Sequence, residues 1–230
     1  YTDNYDKNHI CLSILNKFIY GLAEINKSKI KNSSNIAIPG CYPTSILLPL
    51  IPLVKNNFIE SENIIIDSKS GYSGAGKNFD INNIKNKNDY NFYNYNTNSH
   101  RHICEIEQEL NKNSKRNVKF SFNPHILPAF RGMMSTIYCN LQKNIKFQDI
   151  NNCLEIFSDE NFFINFLNND TRADFFSVQN TNYCNIKIFK HYSEDKIIIV
   201  SLIDNLIKGA AGQAVQCFNI LYKIDEPIGL

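Results

Sequence analysis

Cys41 directly follows Pro39-Gly40 and precedes an apolar run that opens with Tyr42-Pro43-Thr44-Ser45. A cysteine at a helix start meets free backbone N–H groups and the positive end of the helix dipole, both of which favour the thiolate. A thiolate is the nucleophile that acyl chemistry needs. Gly40 lets a ligand approach, and Pro43 starts a helix without wasting a donor. Cys11, Cys104, Cys139, Cys153, Cys184 and Cys217 lack such a setting and read as small apolar core residues. A thiol nucleophile also needs a base, and the five histidines limit the choice. His100 and His102 flank Arg101, so an extended segment there would set two imidazoles on one face and a guanidinium on the other. That arrangement suits proton transfer beside an anionic substrate, although an exposed polar loop end fits the spacing equally well. His125, in Asn123-Pro124-His125, reads as structural, and His9 and His191 read as exposed.

Two glycine-rich stretches could approach a ligand. Gly71-Tyr72-Ser73-Gly74-Ala75-Gly76-Lys77 has the GxxxxGK spacing of a phosphate-binding loop. Asn78 stands where the magnesium-holding Ser/Thr belongs and no apolar helix follows, which argues against an NTPase but leaves a nest for another phosphate or a cofactor. The second stretch opens a C-terminal helix with Asp204-Asn205 and Lys208-Gly209-Ala210-Ala211-Gly212-Gln213. Small residues in its first turns allow close approach of a ligand or of another backbone.

The elements that must hold these groups follow from periodicity. Ser34 to Ile38 reads as a strand, Pro39-Gly40 as a turn, and Ile46 to Val54 as a buried helix, in which Pro49 costs on the order of 3 kcal/mol. Asn63 to Asp67 predicts a strand, Ser68 to Lys77 a loop, and Asn78 to Ser99 a long loop or insertion. Further on, Glu105 to Leu110 predicts a helix, and Val118 to Phe122, Gly132 to Asn140, Val178 to Phe189 and Lys196 to Ile203 predict strands. From Asp204 to Lys223, Ala211, Ala214, Val215, Phe218 and Leu221 share one helical face. Interleaved strands and helices make the class α/β, with an α+β catalytic portion and some antiparallel pairing.

Composition narrows the function classes. The chain has 230 residues, 43% hydrophobic, and a formal charge of +2 with no dense basic block, so a small-molecule partner is the better expectation than nucleic acid. The longest apolar stretch is too short and too proline-interrupted for a membrane span, and the first residues show no signal-peptide pattern, which predicts a cytoplasmic protein. Seven cysteines without CxxC or CxxxC pairs fit neither a disulfide framework nor a structural metal site.

Five motifs together resemble N-acetyl-γ-glutamyl-phosphate reductase, of the aspartate-semialdehyde dehydrogenase type. They are Pro39-Gly40-Cys41-Tyr42-Pro43-Thr44, Ser70-Gly71 through Ser73-Gly74-Ala75-Gly76, His100-Arg101-His102 with Glu105-Ile106-Glu107-Gln108, Pro124-His125 through Tyr138, and Asp204-Asn205-Leu206 through Gln216. The resemblance implies a catalytic and dimerisation domain at 39–203, the end of a Rossmann NADP-binding domain at 1–38, and a C-terminal helix at 204–230 that returns to that domain. Because the chain starts at Tyr1 and holds no GxGxxG, the rest of the Rossmann domain is expected upstream. The family's chemistry implies that Cys41 attacks an acyl phosphate and that the thioacyl enzyme is reduced with NADPH, with His102 as acid and base. His100, Arg101 and Glu107 would bind substrate, although spacing alone does not split the two histidines. Ser73, Gly74, Asn205, Lys208 and Gly209 would lie on the NADP(H) side, and the protein would form a homo-oligomer. A carrier-bound α-aminoadipyl phosphate reductase, or a truncated remnant that only oligomerises, would share these motifs.

Overall fold

The computed structural model describes residues 9–74 and 91–230. Its helices are α1 (Leu12–Leu15), α2 (Ala23–Ile30), α3 (Cys41–Lys55), α4 (Ile103–Asn113), α5 (Phe147–Asp159) and α6 (Gly212–Tyr222). Its strands are β1 (Ile19–Tyr20), β2 (Ile36–Ala37), β3 (Ile64–Gly71), β4 (Tyr93–Asn94), β5 (Phe120–Leu127), β6 (Met133–Asn140), β7 (Ile164–Phe166), β8 (Cys184–Lys190) and β9 (Lys196–Ile203). The class is mixed α/β, as the interleaving of the sequence predicts.

Helix α3 is the axis of the core. Every residue from Tyr42 to Val54 is buried, the pattern of a helix that is apolar all round and enclosed by other elements. Fully burying a Leu or Ile is worth about 1.5–3 kcal/mol, so the run Ile46, Leu47, Leu48, Leu50 and Leu53 outweighs the bonds lost at Pro49 and Pro52 inside the helix. Ile106 and Leu110 of α4 and Ile150 and Leu154 of α5 join the same core.

This layer covers one face of a seven-stranded mixed sheet of order β4-β5-β3-β6-β9-β8-β7. Strand β3 pairs parallel with β5 and antiparallel with β6, and β9 runs antiparallel to β6. The carboxyl ends of β3, β5 and β9 therefore meet at one edge. Strand β3 continues through Ser68–Gly71, which the sequence reads as a loop. Ser68 Oγ and Ser45 Oγ each lie 2.7 Å from Ser135 Oγ, so the serines are satisfied between sheet and helix and their polarity does not end the strand. The expected strand Val178–Phe189 likewise starts only at Cys184, because a 3₁₀ turn spans Phe175–Val178 and Asp174 accepts a bond from Phe176 N–H at 2.7 Å. Most of the loop expected at Asn78 to Ser99, with Ala75, Gly76 and Lys77, lies outside the described residues.

The two ends of the chain pack together. Strands β1 and β2 form a parallel pair, and Ala23 and Ile30 of α2 share a small core with Cys217 and Ile220 of α6. Gln213 Nε2 donates to the Gly21 carbonyl at 2.9 Å across this contact. Helix α6 is entered through a π-helical turn, Ile207–Ala211. The apolar face read from the sequence points outward, with Phe218 53% exposed, while Gln213, Gln216 and Asn219 are buried.

Candidate active site

The edge where the strand ends meet also holds the start of α3, the usual place for a site in sheets of this kind. Gly40 is the N-cap and Cys41 the first helical residue. Three contacts fix the backbone there. Gly40 N–H donates to Glu105 Oε1 at 3.1 Å, Tyr20 Oη–H donates to the same oxygen at 2.7 Å, and Thr44 Oγ1–H donates to the Gly40 carbonyl at 2.9 Å. Glu105 thus ties the turn before the cysteine to the first turn of α4, whose N-cap is His102. A Cβ at Gly40 would stand 2.5 Å from His102 Nε2, so only glycine lets that ring reach the residue next to Cys41. From the other side, a Cβ at Gly209 would stand 2.6 Å from Cys41 Cβ. Cys41 is clasped between a histidine-bearing helix start and a glycine of the π turn.

The two histidines have different surroundings. His100 is buried, and its Nδ1 accepts the His102 backbone N–H at 3.1 Å. Its neutral ring therefore carries the proton on Nε2, which faces Tyr95 Oη at 3.4 Å. Both nitrogens are engaged. His102 Nδ1, by contrast, is buried without a hydrogen-bond partner. Burial, aided by the neighbouring His100 and Arg101 charges, pulls His102 down to about 3, and burial with Arg101 pulls His100 down to about 4. At neutral pH both imidazoles are neutral, each with one ring nitrogen unprotonated, and burial makes the imidazolium of either one costly.

The thiol departs from what the helix start alone suggests. Burial pushes Cys41 up to about 11, against the lowering pull of the Tyr42 and Cys41 backbone N–H groups and the Arg101 charge. Desolvation by the core against which the half-buried Cys41 packs outweighs these pulls. The resting group is a thiol, and it needs a base to become a nucleophile.

Arg101 is exposed beside the pair, and its charge reaches Cys41 and both rings. Glu107 is exposed, away from the clasp. Glu105 is the acid that touches the site, and helical spacing could have found it, because residues 102, 105, 106 and 109 share a face and 107 does not. Tyr95 carried no sequence signal. On the cofactor-side edge, Asn205 Nδ2 donates to Ser73 Oγ at 3.0 Å and Asn205 Oδ1 accepts from Gly132 N–H at 2.7 Å. Gly74 is exposed next to Ser73, and Gly209 abuts Cys41. Lys208 lies apart from this edge, wholly buried against Glu24.

Among the described residues, no group of three or more His, Cys, Asp or Glu side chains could hold a metal, and no helix is long and apolar enough to cross a membrane.

A family model described as "Semialdehyde dehydrogenase, dimerisation domain" matches residues 41–205. The chain is 43% identical, over 98% of its length, to a protein of Clostridium beijerinckii named N-acetyl-gamma-glutamyl-phosphate reductase. It is 44% identical over its full length to a protein of the same name from Caldicellulosiruptor bescii. A third relative, 39% identical, is named as the probable chloroplastic form in Arabidopsis thaliana. The chain spans 66% of the length of the two bacterial relatives and 57% of the plant one. Among solved structures, aspartate semialdehyde dehydrogenase II from Vibrio cholerae superposes with a TM-score of 0.71 at 18% identity, over 91% of this chain and 69% of that one, a likeness of fold.

Proposed function

The chain belongs to the semialdehyde dehydrogenase dimerisation-domain family, and from that premise we propose that it carries the catalytic machinery of an N-acetyl-γ-glutamyl-phosphate reductase. The observation that carries this reading is the clasp at Cys41: a half-buried thiol that follows Gly40, the glycine packed against the ring of a neutral His102 whose Nδ1 has no partner. His102 takes the thiol proton as Cys41 Sγ attacks the acyl carbon. The C–S bond forms, the carbon–oxygen bond to phosphate breaks, and phosphate leaves on the side of Arg101. Hydride addition to the thioester carbon then expels the sulfur, which recovers its proton from His102, and the semialdehyde departs.

NADPH, when bound, supplies that hydride. Gly74 and Gly209 are each packed where a side chain would not fit: a Cβ at Gly74 would meet Ser70 Oγ at 2.8 Å, and one at Gly209 would meet Cys41 Cβ at 2.6 Å. Ser73, Gly74 and Gly209 would hold the nicotinamide side, with Asn205 bracing Ser73 from behind. His100, locked by Tyr95 and the His102 backbone, positions the substrate anion with Arg101. Glu107 is left without a part in this reading, and Glu105 takes the anchoring role. A second copy would dock on the uncovered sheet face, where Ile65 is 51% and Tyr138 40% exposed, in keeping with the family's dimerisation role.

The test is NADPH oxidation by the full-length protein with N-acetyl-γ-glutamyl phosphate, with a carrier-bound α-aminoadipyl phosphate as competitor. The expected result is turnover of the first only, abolished in Cys41→Ser. Full activity in Cys41→Ser would sink the mechanism, and turnover of the second substrate alone would replace the substrate assignment.

A further inference from the structure

The carboxylate of Glu24 and the ammonium of Lys208 stand 2.5 Å apart, with side chains 1% and 0% exposed. Gln216 joins them, accepting from Lys208 Nζ at 2.7 Å and donating to Glu24 Oε1 at 2.9 Å. Its amide nitrogen also reaches Glu226 Oε2 at 2.9 Å, and Glu226 pairs with Lys27. A buried pair is weak evidence for stability, because desolvation can cancel its attraction. A more specific role is suggested by what Lys208 belongs to.

Lys208 is the second residue of the π turn Ile207–Ala211, and its neighbour Gly209 abuts Cys41. The start of the turn is also pinned by Asp204. That fully buried carboxylate accepts from Leu206 and Ile207 N–H at 2.8 and 3.0 Å and from Asn180 N–H at 2.7 Å. The Asp204 carbonyl accepts Gly209 N–H at 2.9 Å. π-Helical turns occur frequently at functional sites, and the start of this one is held by two buried charged groups, Asp204 and Lys208.

We propose that the buried Glu24–Lys208 pair is a positioning device for the nucleophile: it holds the π turn so that Gly209 backs Cys41. This role deepens the reductase reading and rests on it for the rate readout alone. The contact tolerates little slack, because Gly209 has no side chain with which to follow Cys41 if the turn shifts. Misplacing a nucleophile by about 1 Å costs on the order of 100-fold in rate. Glu24 lies at the start of α2, so the pair also makes the geometry at Cys41 depend on how the two chain ends pack.

The test uses the full-length protein with Glu24→Gln, Lys208→Met and the charge-free double variant Glu24→Leu/Lys208→Met. It reads kcat and KM, the thermal midpoint, and the pH profile of Cys41 alkylation by iodoacetamide mapped by mass. Glu24→Gln and the double variant are expected to fold and to lose about tenfold or more in kcat with KM little changed. Their Cys41 alkylation profile should move down in pH, as the clasp loosens. Wild-type kcat and wild-type alkylation in the folded double variant would overturn the proposal, since a merely charge-compensating pair is dispensable once both charges are gone. Should Lys208→Met fail to fold, Glu24→Gln and the double variant still decide. If the unaltered protein shows no reductase turnover, the proposed activity fails, while the alkylation profile still tests the positioning.

Discussion

Helices α3 and α6 meet at the Cys41–Gly209 contact and are buried by opposite means. In α3 the buried positions are almost all aliphatic, and its interior prolines are carried by the packing around them. In α6 the buried face is Gln213, Gln216, Cys217, Asn219 and Ile220, bonded to Gly21, Glu24, Glu226 and the Glu226 and Ile228 carbonyls, while Val215, Phe218 and Tyr222 face outward. Apolar burial sets where Cys41 sits and, by drying it, raises its thiol. Polar burial sets how the backing turn is presented, because hydrogen bonds specify direction in a way that aliphatic contacts do not. Cys41 is thus placed by one kind of packing, and the turn that backs it is held by the other.

If the dry head of α3 makes the thiol depend on a base, removing that base is the largest effect to expect. His102→Asn should lower kcat by roughly 100- to 10,000-fold, with KM little changed. His100→Asn should act mainly on KM, because both of its nitrogens are already engaged in holding the loop and it only orients the substrate. Steady-state kinetics on the full-length protein separates the two, and the reverse pattern would exchange their roles.

Truncating one residue on each helix separates apolar from polar burial. Leu47→Ala in α3 opens a cavity in the main core and should cost about 2–5 kcal/mol of unfolding free energy. Gln213→Ala in α6 removes the donor to the Gly21 carbonyl and should cost about 1–3 kcal/mol. Denaturant titration measures both. A negligible cost for Gln213→Ala would mean that α6 is held by its apolar contacts with Ala23 and Ile30, and that its polar seam is incidental.

What was legible in the sequence follows the same divide. The run Ile46 to Val54 announces a buried helix through hydropathy alone, and Pro39-Gly40-Cys41 marks its head by turn chemistry. The serines of β3 concealed a strand, because Ser68 and Ser135 satisfy each other inside the core where hydropathy predicts a loop. The thiol shift ran opposite to the helix-start argument, since the dipole is visible in a sequence and the depth of burial is not. Glu105 was within reach of helical periodicity from His102. The partnership of Glu24 with Lys208 spans 184 positions, and no local pattern announces it.

The smallest effect expected is a two-step acid profile that separates the two helices. His100 and His102, at the head of α3, have folded values near 4 and 3 against an ordinary 6.5. Between those limits the unfolded chain binds protons that the native site excludes, so stability rises with pH there. The contribution is fully present above 6.5 and is lost as pH falls toward 4 and then 3. Glu24, on the α6 side, is subject to burial that raises its value, but the Lys208 charge and the hydrogen bonds from Lys208 and Gln216 more than offset this and leave it below the ordinary 4.5. Its contribution is present above 4.5 and is lost only as pH falls below that. Acid should therefore loosen the head of α3 first and the polar seam of α6 second. Urea unfolding measured from pH 3 to pH 8 reads both steps. His102→Asn should shrink the upper one and leave the lower, and Glu24→Gln should do the converse. A single step near 4.5 that is unchanged by His102→Asn would show that the histidines are not held neutral by burial, and that the dryness attributed to the head of α3 is absent.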